Sequence, residues 1–303
     1  MRFGAWRPDL AERSATLPPA AQPRQRGNDL YSPVLSGICE RSGRTSLKYI
    51  KGMEKSRHNS LNIPLCDAHA HPGNGAETAA RRAQGIRTAL CGTDPENARL
   101  VEEMCAREAL FTPTYGLHPW KTARFTVREM EPWLEKCRVI GEIGLDSVWC
   151  DVPAHDQRAA FARQLDIARE MGKRVLLHTK GCEEEIARMV AERNLPCVVH
   201  WYSCAEHLER YLDLDSYFTL GPDILTNPAV REVARRAPRG RLLIETDGLS
   251  AVEWAQNRPA EPEKLSALLE AMLQEAAAIC GETPEDMRRE AMEAFGALYG
   301  WMA

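Results

Sequence analysis

No Cys-x-x-Cys pair occurs in the 303 residues, although ten cysteines do, at 39, 66, 91, 105, 137, 150, 182, 197, 204 and 280. Scattered single thiols exclude a paired-cysteine metal knuckle and fit reduced thiols in a cytoplasm. No apolar run approaches the roughly 18 residues of a membrane span, and the first residues lack the apolar centre of a signal peptide. No Gly-x-Gly-x-x-Gly turn follows the first apolar run, which argues against a dinucleotide-binding open sheet. With 44% hydrophobic and 27% charged residues, the expectation is a soluble, cytoplasmic globular protein without membrane partners.

The net charge of −4 is unevenly spread. Residues 1–60 hold eleven Lys or Arg against five Asp or Glu, are rich in Arg, Ser and Pro, and show no sustained period. Such a segment buries too little apolar surface to offset its ordering entropy. It is predicted to be a basic, low-order extension, leaving residues 61–303 as an acidic body that disfavours broad, tight duplex binding.

After residue 60, apolar runs alternate with helical patterns. The strand candidates are 63–69, 86–92, 110–116, 139–145, 174–179, 196–201, 217–221 and 241–246. Between them lie amphipathic stretches such as PENARLVEEMCAREA and DQRAAFARQLDIAREMG, with apolar residues three and four apart. Eight βα units in this length predict a TIM-like (β/α)8 barrel, with PEDMRREAMEAFGALYGWM as an extra helix at the end.

Polar residues interrupt the apolar runs at their C-terminal ends. LCDAHAHPG places Asp67, His69 and His71 at every second position, hence on one face of a regular strand. VIGEIGLD carries Glu142 and Asp146, RVLLHTK ends with His178, CVVHWYS with His200, and LLIETDG with Glu245 and Asp247. Barrel active sites lie at that rim. Histidines and carboxylates converging there suit one or two divalent ions, Zn, Mn or Mg. Glu142, central in the strand order, is placed to bridge two ions. Asp247 can both ligate and accept a proton, and a metal lowers the pKa of water toward about 7, so hydrolysis is the predicted chemistry.

DAHAHP, GTDPENA, YGLHPW, GEIGLD, HTK, VVHWYS and ETDG, in this order from residue 63 to about 300, resemble the TatD family of metal-dependent hydrolases in the amidohydrolase superfamily. The resemblance implies a TIM-like barrel and metal-dependent deoxyribonuclease activity. It implies that His69, His71 and Asp247 hold one metal, that His178 and His200 hold a second, and that Glu142 bridges them. It also implies substrate contacts for His118, Trp120 and Lys180, the last where many members have Arg. HWYSC and TDGLSAVEW depart from the family's usual wording at substrate-facing loops.

The leading expectation is a phosphodiesterase or deoxyribonuclease acting on DNA or a small phosphodiester, with Glu142 and Asp247 catalytic. Lys180, Trp120, Trp149, Trp201, Tyr202 and Trp254 are candidates to track a strand. A metal-dependent amide, ester or lactone hydrolase acting on a small molecule is the alternative, since the same activated water serves both. A non-catalytic metal-binding scaffold would be marked by a missing ligand or base, and all six candidates are present.

Overall fold

The computed structural model describes residues 63–300; the expected extension over residues 1–60 lies outside them. Eight parallel strands follow one another in sequence order around one sheet: β1 (Cys66–Ala70), β2 (Arg87–Gly92), β3 (Phe111–Tyr115), β4 (Val139–Asp146), β5 (Arg174–Lys180), β6 (Cys197–Val199), β7 (Ser216–Leu220) and β8 (Leu242–Ile244). A doubly wound sheet would reverse its strand order about a central strand; this one does not. Helices cover the outside: α1 (Gly75–Ala83), α2 (Pro95–Arg107), α3 (Val127–Leu134), α4 (Ala154–Glu170), α5 (Glu183–Ala191), α6 (Leu208–Leu212), α7 (Pro228–Arg236), α8 (Leu249–Gln256), α9 (Leu265–Cys280) and α10 (Pro284–Tyr299). No helix among the described residues is long and apolar enough to cross a membrane.

The ring closes where β8 returns to β1. The Asp247 N–H donates to the His69 carbonyl at 3.0 Å, and the Thr246 N–H to Asp67 Oδ1 at 2.9 Å. Asp67 Oδ2 accepts from Arg81 Nη1 and from Thr246 Oγ1, both at 2.6 Å. Arg81, on α1, is buried and also donates to Glu77 Oε1 at 3.0 Å. A buried guanidinium is tolerated only when its donors are met by acceptors and its charge by carboxylates; Asp67 and Glu77 supply both. Tyr299, the last residue of α10, donates its hydroxyl to the Ala68 carbonyl at 2.9 Å and ties the terminal helix to the same strand.

The expected alternation of Asp67, His69 and His71 on one face does not hold. The β1–β2 pairing slips by one residue between Asp67 and Ala70, and such a bulge re-aims the side chains that follow it. Asp67 therefore meets Arg81 on the covering helix, while His69 points into the barrel mouth. A second slip, between Ile140 and Ile143 of β4, brackets Glu142. Two glycines make room there: a Cβ on Gly141 would lie 2.4 Å from Leu176 Cβ, and one on Gly144 would lie 2.0 Å from the His178 carbonyl oxygen. Neither approach admits a side chain.

Candidate metal centre

Six side chains meet at the C-terminal mouth, from β1, β4 and β5 and from the residues just after β1, β6 and β8. His69 Nε2 lies 3.4 Å from Glu142 Oε2 and 3.2 Å from Asp247 Oδ1; His71 Nε2 lies 3.5 Å and 3.2 Å from the same two oxygens. Tetrahedral ligation with arms of about 2.0–2.1 Å gives ligand–ligand edges of about 3.3–3.4 Å, which these four distances bracket. His69 Nε2, Glu142 Oε2 and Asp247 Oδ1 are buried without a hydrogen-bond partner. Buried polar atoms left unpaired are costly, and a cation among them would satisfy all three. The residues present therefore fit a divalent metal.

The other Glu142 oxygen faces a second group. Oε1 lies 2.7 Å from His178 Nδ1 and 3.6 Å from both His200 Nε2 and His118 Nε2. Burial alone would raise the Glu142 carboxyl, but the His200, His118 and His178 rings outweigh it and hold it well below the usual carboxylate range. Asp247 is also driven down: burial opposes ionisation, while the His200 ring and the adjacent His69 and His71 rings favour it. Asp247 sits at φ +58°, a left-handed conformation that Asp tolerates better than most residues. Its N–H is thereby committed to His69 across the seam.

A carboxylate stands behind each histidine of this second group. His178 Nε2 lies 2.9 Å from Asp146 Oδ2, which also accepts from the Trp120 indole at 2.6 Å. Asp146 Oδ1 accepts from the Val148 and Trp149 N–H groups at 2.7 and 2.8 Å. Burial would raise the Asp146 carboxyl; the His178, Trp149 and Trp120 donors hold it far below its ordinary value. An ionised acceptor keeps a His178 ring hydrogen on Nε2, so Nδ1, which faces Glu142, is the atom that would ligate once its own proton is released. His200 Nδ1 lies 2.7 Å from Glu245 Oε1, close but outside hydrogen-bond geometry, and its Nε2 faces Glu142 Oε1 at 3.6 Å. Such outer carboxylates set which ring nitrogen can bind a metal. Asp146 and Glu245 were visible at the rim in the sequence, but their partners stand on other strands and no local spacing assigns them.

His118 comes closer to this group than a rim contact requires. It is buried, and its Nε2 is 3.4 Å from His178 Nδ1. Distance alone would admit it as a ligand. Its Nδ1, however, accepts the Trp120 backbone N–H at 3.2 Å, and burial lowers its pKa to about 4. A neutral ring with Nδ1 occupied carries its hydrogen on Nε2, so His118 presents a donor to the site. Trp120 spends both its indole and backbone N–H groups on positioning these residues. Cys91 Sγ stands within metal-ligand reach of His69 and Glu142, yet it accepts the Glu142 N–H at 3.1 Å and burial raises its thiol to about 12. It acts as a protonated spacer.

Lys180 is buried at the rim, 8% exposed. Its Nζ donates to Ser203 Oγ at 2.7 Å and lies 3.5 Å from the Trp201 carbonyl oxygen. Burial lowers its pKa, opposed by Asp223, Glu183, Asp146 and Asp247. Tyr202 is turned into the packing, against Tyr211. Cys182 and Cys204 are only partly buried, and neither belongs to a metal-ligating group found among the described residues.

Known proteins are similar to this chain in sequence and in fold. The profile of the TatD-related DNases matches residues 66–300. The chain is 28% identical over 227 residues to the metal-dependent hydrolase YjjV of Escherichia coli, covering 67% of this chain and 88% of that protein. It is 28% identical over 211 residues to the 3′-5′ ssDNA/RNA exonuclease TatD of a Rahnella species, covering 65% and 80%. The crystal structure of Escherichia coli YjjV superposes with a TM-score of 0.70 at 23% identity, over 79% of this chain and 99% of that one, a likeness of fold. With the profile spanning the whole barrel, the chain is a member of the TatD-related DNase family of metal-dependent hydrolases.

Proposed function

We propose that the protein is a divalent-metal-dependent phosphodiesterase that hydrolyses single-stranded nucleic acid. The observation that carries this reading is the set of buried, unpaired His69, Glu142 and Asp247 atoms at tetrahedral spacing, beside a second group around the other Glu142 oxygen. His69, His71 and Asp247 would hold one ion, His178 and His200 a second, with Glu142 shared. An imidazole-rich set favours Zn²⁺ or Mn²⁺ over Mg²⁺. Such ions supply Lewis acidity, which lowers the pKa of water and polarises a phosphoryl oxygen.

The chain's own groups supply the rest. Asp247 Oδ1 lies between His69 and His71, whereas Oδ2 is 3.9 Å from His200 Nε2 and is the oxygen available to take a proton from the attacking water. His118 offers its Nε2–H to a non-bridging phosphate oxygen, and neutrality at pH 7 keeps it a donor without a charge to desolvate. Lys180 provides a point charge for the same anion, lacking the bidentate fork of an arginine. The Rahnella relative's named activity on ssDNA and RNA supports a strand as substrate, and the acidic body supports a short contact rather than a long electrostatic track.

The test is incubation of a 5′-labelled single-stranded oligonucleotide with the protein and Mn²⁺ or Mg²⁺, beside the Asp247→Asn variant. Metal-dependent cleavage abolished by the substitution is expected. Stoichiometric metal binding without cleavage would refute the nuclease reading and move the assignment to a small-molecule amide, ester or lactone hydrolase.

A further inference from the structure

Three alternate rims each contribute a tryptophan at the C-terminal mouth: Trp149 after β4, Trp201 after β6 and Trp254 on α8 after β8. Their rings touch in series. Trp201 lies 6.3 Å from the His200 ring, Trp254 lies 6.0 Å from Trp201, and Trp149 lies 5.7 Å from Trp254, the last two pairs at 71° and 72°. Trp201 is packed and tethered: it is 5% exposed, its indole donates to Asp223 Oδ1 at 2.6 Å, and its ring covers Gly221, where a Cβ would lie 2.3 Å from it. Trp149 and Trp254 are only partly buried. Lys180 Nζ sits 4.9 Å from the Trp149 ring centre, so an ammonium occupies one face of that indole.

On the phosphodiesterase reading, we propose that Trp149 and Trp254 form a corner, backed by Trp201, that receives a nucleobase next to the scissile phosphate. Two indoles near 70° let a flat ring stack on one and meet the edge of the other, the arrangement aromatic quadrupoles favour. A cation already satisfies one face of Trp149, so the corner takes a neutral π-system rather than a second cation. The buried Lys180 ammonium, hydrogen-bonded to neutral oxygens, lies where the attached phosphate's charge is complementary. Stacking of this kind tolerates any base, so the corner selects for the presence of a base and not for its identity.

The experiment compares kcat/KM for a thymidine tetranucleotide and a tetramer of abasic units, using the full chain with Mn²⁺, in the unsubstituted protein, Trp149→Leu and Trp254→Leu. Preference for the base-bearing strand of about ten-fold, falling toward unity in both variants, is the expected result. No preference in the unsubstituted protein overturns the proposal, as does an equal loss on both substrates in the variants, which marks a purely structural role. A parallel equilibrium titration in EDTA compares thymidine 5′-monophosphate with 2-deoxyribose 5-phosphate. If neither tetramer is cut, the nuclease reading falls; tighter binding of the nucleotide, lost in the variants, still upholds the corner, and equal binding refutes it.

Discussion

Asp146→Asn isolates what one carboxylate does for a metal ligand it does not itself replace. Asp146 accepts four hydrogen bonds: Val148 and Trp149 N–H on Oδ1, and the Trp120 indole and His178 Nε2 on Oδ2. An asparagine has one carbonyl oxygen, and its amide nitrogen is a donor. The two backbone donors cannot change, so the oxygen stays with them and the amide turns toward Trp120 and His178. The clash with His178 is relieved only if its ring hydrogen moves from Nε2 to Nδ1, the atom aimed at Glu142. His178 then loses its ligating lone pair. Loss of an outer partner weakens metal binding by about 10- to 100-fold, or about 1.4–2.7 kcal/mol at 1.36 kcal/mol per decade. Calorimetric titration of Mn²⁺ into both proteins reads this directly, with circular dichroism checking that the barrel persists. Affinity within two-fold of the unsubstituted protein, with the fold intact, would refute the reasoning.

Asp67→Asn removes a charge from the latch between β1 and β8 and leaves Arg81 with Glu77 alone; a cost of about 3 kcal/mol is expected from the buried unpaired charge, read as a lower urea midpoint. Metal binding at pH 7 is expected to release about one proton from His178, because burial, which by itself lowers that ring's pKa, is outweighed by Glu142 and Asp146, raising it to about 9 in the metal-free protein. The sign follows: the ligating form grows as pH rises, so affinity climbs from pH 7 toward 9 and levels above it. Titrations in two buffers of different ionisation enthalpy measure the release, and identical heats would contradict it. Gly144→Ala places a methyl 2.0 Å from the His178 carbonyl oxygen; soluble yield and thermal melting should both fall, and an unchanged melt would show that β5 can give way.

The barrel was legible because strands buried on both faces read as short apolar runs, and because chemistry at a barrel rim interrupts those runs at one end. His178 and His200 each terminate such a run, and the structure brings both to the same Glu142 oxygen. Asp67 was misplaced for a physical reason: the period-two rule assumes an unbroken pleat, and the slip between Asp67 and Ala70 leaves no mark in composition. Arg81 stands in the run AARRA, where nothing distinguishes the buried guanidinium from its exposed neighbour Arg82. The donor character of His118 depends on a backbone N–H two residues away, a fact of loop geometry that residue type cannot carry. Asp146 and Glu245 were in plain view, but an orienting carboxylate acquires its meaning from a histidine 32 or 45 residues distant.

The seam has a consequence for how the protein is made. Asp247, which faces both His69 and His71, stands at the far side of the closure, and Asp67 and Thr246, which lock it, are 179 positions apart. A chain emerging from the ribosome presents His69 and His71 early and Glu142 midway, yet Asp247, the second carboxylate both histidines face, arrives only after all eight strands have been synthesised. The complete first ion-binding group is therefore beyond the reach of a partial product, and full loading follows ring closure. A cleaved or stalled fragment lacking β8 would keep Glu142 but not Asp247, leaving the two imidazoles one of their two shared carboxylates and a weaker chelator in place of an enzyme.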